Sequence, residues 1–180
     1  MSTFLDHLTV KTAIGVITAK SVVAADGLLR EQVSLQSIPY NPELPPGMRV
    51  NKCTIVLLKI AGQVELERID LILVFETTAI GGPCSGQCLD AQEWSKDGQL
   101  VVMGTEDGEA LSYRFKGLGL EDQAVTEYSS RGMHLKLGQL GAHKDPSFHF
   151  VIAENNDPEA AEDSAWFAVD QNHEYLLKKI

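Results

Sequence analysis

Three groups of residues carry chemistry by type and spacing. Gly82-Pro83-Cys84-Ser85-Gly86 matches Gly-x-Cys-x-Gly, a thiol version of the elbow whose flanking glycines let a nucleophile stand clear of its backbone. Such a thiol needs a histidine and an acid from farther along, and His134, His143, His149 and His173 all follow it. Two features oppose a cysteine-dependent hydrolase using Cys84. Pro83 removes a backbone donor beside the thiol, and the segment after Cys88 is too short and polar for the long helix of an elbow. Cys84-x3-Cys88 also suggests zinc, with His143 or His149 as further ligands. Structural zinc, however, usually pairs cysteines two residues apart with a second such pair or a histidine pair, and neither follows here. The third group is Glu154-Asn155-Asn156-Asp157-Pro158-Glu159, ending in Glu162-Asp163. Carboxylates crowded on a loop suit Ca²⁺, yet the spaced ligands and central glycine of an EF-hand are missing. The expectation is therefore no catalytic residue, no metal ligand and no cofactor.

The distribution of charge is more informative than any motif. Fifteen Lys+Arg against 25 Asp+Glu leave a formal net charge of −10. Between Lys144 and Lys178 there is no Lys or Arg, while Asp145, Glu154, Asp157, Glu159, Glu162, Asp163, Asp170 and Glu174 all fall there. A field of one sign raises association rates with a partner of the other. It also opposes nucleic acid and anionic membrane surfaces, which attract basic faces. Trp166 and Phe167 are adjacent, and on a strand they point to opposite faces, leaving one free as an exposed anchor. Glu154, Asp157, Glu159, Glu162, Asp163 and Trp166 are thus the expected partner-binding residues, the acids on a loop between strands 148–152 and 164–170 and Trp166 close by on the second of these strands.

The elements that must hold these residues are mostly strands. Leu29, Val33 and Leu35 alternate with polar neighbours after Asp26-Gly27, whose dipeptide suits a hairpin. Pro39, Pro42, Pro45 and Pro46 then mark an extended loop. Residues 50–60 and 64–80 are rich in β-branched side chains, and Ala61-Gly62-Gln63 between them reads as a hairpin connection. The apolar parity of the second run changes near Arg68, which predicts a bulge or a strand buried on both faces. Gly81 to Gly86 reads as a small-residue loop, and 89–94 as one helical turn. Asp97-Gly98 and Asp107-Gly108 flank 99–103 and precede 109–115, a spacing that fits a β-meander. Residues 121–130 suit a short helix, 133–137 and 148–152 alternate as strands, and 174–180 ends as a helical turn.

The predicted fold is mainly β: a single domain over 1–180, an antiparallel β-sandwich or barrel with one or two short helices, with α+β as the alternative. No apolar run approaches the ~20 residues of a membrane helix. The first residues lack a basic leader, and three cysteines are few and odd in number. These features point to the cytoplasm. The functional expectation is a non-catalytic acidic binding module, in its concrete form an inhibitor or immunity-type protein that neutralises a basic toxin such as a nuclease. A β-sandwich that binds a small ligand or carbohydrate is the alternative.

Overall fold

A computed structural model of the chain describes residues 1–86, 89–116, 120, 123–156 and 163–180. Twelve strands lie among them: β1 (Ser2–Thr12), β2 (Gly15–Ala25), β3 (Val33–Tyr40), β4 (Lys52–Ile60), β5 (Gln63–Glu76), β6 (Ile80–Gly86), β7 (Leu89–Lys96), β8 (Gln99–Glu106), β9 (Thr126–Ser129), β10 (Gly132–Leu137), β11 (Leu140–Lys144) and β12 (Ser147–Asn155). Three short helices accompany them: α1 (Gly108–Arg114), α2 (Ser164–Val169) and α3 (His173–Lys179). None of the described helices is long and apolar enough to cross a membrane.

The strands form two antiparallel sheets that pack as a sandwich. One runs β1-β2-β5-β10-β9, with β11 on the β5 edge ahead of β10, and the other β3-β4-β12-β8-β7-β6. Alternation explains the packing. Ile69, Leu71, Leu73 and Phe75 of β5 meet Leu58, Phe148, Phe150 and Ile152 in the central core. The parity change at Arg68 is a bulge, because Ala24 pairs with Arg68 and Ala25 with Leu66, leaving Glu67 without an opposite residue. Asp97 (φ 52°) and Gly98 (φ 77°) close the β7–β8 hairpin with the two left-handed residues such a turn requires.

Several local expectations are corrected. Asp26-Gly27 and Ala61-Gly62-Gln63 are not hairpin turns, since each joins strands of different sheets. Residues 81–86 form edge strand β6 instead of a loop, because Gly81 sits opposite Trp94, whose indole covers the space a side chain would occupy. Residues 89–94 belong to β7, and 126–129 pair with β10 as strand β9. Residues 109–115 are not a meander strand: Asp107 caps α1 by accepting the Ala110 N–H at 2.9 Å. Of residues 164–170, expected as a strand, Ser164–Val169 are helical, with Ala165, Ala168 and Val169 buried at the spacing of one helix face. Pro39 does lie within β3, at the edge of its sheet, where a missing donor costs no ladder bond.

The helices produce a third layer. Val151 and Ala153 of β12 face away from the sandwich and bury against α2, α3, Tyr40, Cys53 and Leu57 in a second apolar core. The second sheet is thereby covered on both faces, which explains the nearly continuous burial of β12.

Candidate functional site

The acidic segment divides into parts with different roles. Asp157, Glu159 and Glu162 lie outside the described residues. Glu154 is buried at the end of β12, where it pairs with Lys52 at 3.1 Å and accepts the Ala13 N–H at 2.8 Å. It ties the β1–β2 turn to the second sheet, so its carboxylate faces inward, not toward a partner. Lys52 also donates to the carbonyl of Lys11 at 2.5 Å. Asp163 is exposed at the start of α2. Trp166 is half-buried against the second core, with its indole N–H donating to Glu93 at 3.3 Å. Because Ser164–Val169 is helical, Trp166 and Phe167 do not divide between two sheet faces. Phe167 is the more open of the two, at 46% exposure.

Cys84 is unsuited to nucleophilic work. Burial, reinforced by Glu93, pushes its thiol up to about 12, so the thiolate is disfavoured at neutral pH. The histidines an elbow would enlist are engaged elsewhere: His134 with Asp70 at 2.8 Å, His143 against the Phe115 ring, and His149 and His173 with each other. Cys88, the other half of the proposed thiol pair, lies outside the described residues.

A buried polar cluster among the described residues is one that no motif announced. Ser147 and His149 share the outward parity of β12, and Glu106 lies at the end of β8, two residues past Gly104, which pairs with Val151. His173 is the first residue of α3, whose start is set by Asn172 accepting the N–H groups of Glu174 and Tyr175 at 3.0 and 3.3 Å. Helix and sheet press the two imidazoles together, with Nδ1 to Nδ1 at 2.7 Å and ring centroids at 4.8 Å. Nε2 of His173 lies 2.8 Å from Ser147 Oγ. A carboxylate oxygen of Glu106 lies 4.0 Å from His149 Nδ1 and 3.9 Å from His173 Nδ1. Arg114, from the last turn of α1, grips Glu106 with bonds of 3.0 and 2.5 Å and donates to the Ser147 carbonyl at 3.0 Å.

Electrostatics fix the state of this cluster. Burial, helped by Arg114, lowers His149 to about 3. Burial, then His149, Arg114 and Lys59, lowers His173 to about 2. Both rings are neutral at physiological pH, so one donates its Nδ1–H and the other accepts. Burial raises the Glu106 carboxyl, against the opposing pull of Arg114. A base this weak is poorly matched to activating a serine at neutral pH, so Ser147 and His173 do not read as a catalytic pair. The cluster borders a surface hollow of about 500 Å³ lined by Ser147, Lys59, Asp145 and Leu177 among others.

Sequence reasoning missed Glu106, His149 and His173 as a group. The available signal was weak: two polar residues, Ser147 and His149, on one parity of an otherwise apolar strand. Comparison with protein-family models, curated proteins and solved structures found no match to the chain.

Proposed function

We propose that the protein is a non-catalytic binding module that docks a basic protein partner on the outer face of α2. One observation carries this reading: exposed Phe167 is flanked by exposed Asp163 and Asp170, four residues before and three after it, which share its side of the helix. An aromatic anchor rimmed by carboxylates suits a basic surface, with the charges setting the rate of encounter and the ring the lifetime. Asp157, Glu159 and Glu162 precede this face in the chain, and no cation follows it before Lys178. The concrete form is an inhibitor or immunity-type protein, whose carboxylates occupy the groove of a toxin such as a nuclease in place of phosphates.

The test is the kinetics of binding to basic proteins captured at low salt. Asp163→Asn with Asp170→Asn should slow association several-fold and flatten its salt dependence. Phe167→Ala should leave association nearly unchanged and speed dissociation. Identical rates for all variants would place the docking surface elsewhere, and partners without a basic surface would overturn the charge argument.

A further inference from the structure

We propose that Glu106, His149 and His173 form a binding site for a divalent transition-metal ion of the zinc class, between the outer face of the second sheet and the start of α3. The site is independent of the docking face on α2. Each of the three residues is buried, and one ligand atom from each lies within 4.8 Å of the others. Two imidazole nitrogens and a carboxylate oxygen are a ligand set that zinc accepts, with an open fourth position for water. Zinc–ligand bonds of 2.0–2.2 Å in a tetrahedron place ligand atoms about 3.3 Å apart. The three separations here, 2.7, 3.9 and 4.0 Å, lie on both sides of that value. Opening the imidazole pair and drawing the carboxylate inward, each by about 0.6 Å, converts the hydrogen-bonded trio into a coordinating one.

The surrounding groups favour the same use. Neutral imidazole is the form that binds a metal, and the 2.7 Å contact between the two Nδ1 atoms requires one of them to present a lone pair to the other. His173 has an outer partner, Ser147, on the nitrogen that faces away from the trio. When His173 Nε2–H donates to that hydroxyl, Nδ1 keeps its lone pair. The proton shared by the two Nδ1 atoms then belongs to His149, and transferring it to His149 Nε2 turns both Nδ1 lone pairs toward the ion without changing the charge of either ring. The hollow bordered by Ser147, Lys59 and Leu177 reaches the outer partner of His173 and none of the three ligands, so an ion enters by a local opening of the α3 start.

Arg114 is the opposing element. Its guanidinium occupies one lone pair on each Glu106 oxygen, leaving a second lone pair on each, and its positive charge repels the ion. The site is therefore weaker than the same ligands would be alone, and replacing Arg114 tightens it.

The experiment is titration of the intact protein with Zn²⁺ and Co²⁺. One equivalent of Zn²⁺ should bind and raise Tm, and Co²⁺ should give visible absorption bands of a four-coordinate site. Glu106→Gln and His173→Gln should each weaken binding by tenfold or more, and Arg114→Gln should strengthen it several-fold. Circular dichroism of each variant confirms that the sheets are retained. Absence of stoichiometric Zn²⁺ binding by the folded wild-type protein at millimolar metal would overturn the proposal. So would binding that is equal in wild type and in folded Glu106→Gln and His173→Gln, since that ion would sit on the acidic surface.

Discussion

A buried neutral imidazole refuses protons that the unfolded chain accepts. His149 and His173 stay neutral in the fold down to about 3 and about 2, against an ordinary value of 6.5. As pH falls below 6.5 the unfolded state therefore binds more protons, and stability declines. The slope approaches about 1.4 kcal/mol per pH unit for each histidine. Urea unfolding at pH 7, 6 and 5 should show this loss, and His173→Gln should remove a large part of the slope. An equal slope in wild type and variant would mean that the pair is not the source. Glu106, Asp90 and Asp170 have carboxyls raised by burial and act with the opposite sign as they protonate, so the histidine contribution is read from the difference between wild type and His173→Gln. Gly81 makes a second, purely steric point. A Cβ there would overlap the indole of Trp94, which is fully buried and packs edge-on to Phe75 with ring centroids 5.2 Å apart. Gly81→Ala should cost about 1–3 kcal/mol, the usual range for overpacking, measured as a shift in urea midpoint. A neutral effect would show that the β6 edge yields easily.

At the level of elements, α3 closes the second core. Leu176 and His173 are buried beneath it, together with Cys53 and Tyr40 of the adjacent strands. Burial pushes the Cys53 thiol up to about 12. Truncation after Gln171 should leave the β signature in circular dichroism and make Cys53 reactive toward a thiol reagent. A thiol as protected as in the full chain would mean that α3 is not its cover. Several strands of both sheets were legible in the sequence, because apolar side chains recur at every second position in 33–35, 133–137 and 148–152. The helices α1 and α2 were not. In 109–115 the apolar positions Leu111, Tyr113 and Phe115 also alternate, and a run of seven residues is too short for period 2 and period 3.6 to separate. Asp107 decided the matter as a cap. The turns at Asp26-Gly27 and Ala61-Gly62-Gln63 differ from expectation for another reason: Asp-Gly and Gly-Gln specify a reversal of direction, not whether the next strand joins the same sheet. The histidine cluster lay beyond local pattern altogether, since His149 and His173 meet across 24 residues through the docking of a helix.

For the molecule as a whole, the net charge of −10 conceals an uneven surface. Lys11, Lys20, Arg68 and Lys136 are exposed on the outer face of the first sheet, whereas Asp163, Phe167 and Asp170 lie on the layer that covers the second. Arg68 is paired with Asp70 at 2.5 Å, Lys136 with Glu127 at 3.1 Å and Arg30 with Asp6 at 2.9 Å, so carboxylates offset part of that basic side. With counterion release working against a polyanion, a gel-shift with duplex DNA at low salt and micromolar protein should show no complex. A band that disappears on adding salt would overturn this and point to the four cations of the first sheet.

The two-ended grip of Lys52 on Glu154 and on the Lys11 carbonyl has a consequence beyond joining the sheets. β1 is an eleven-residue edge, long enough to template a strand from another chain. On its outer side Lys52 occupies the Lys11 carbonyl, and the Asp6 carboxylate takes the His7 N–H at 3.0 Å. An incoming strand finds two of its hydrogen-bonding positions already filled. Pro39 and Pro83 remove donors from the two edges of the other sheet. Three of the four sheet margins, β1, β3 and β6, thus carry in four side chains a hindrance to polymerising into fibrils.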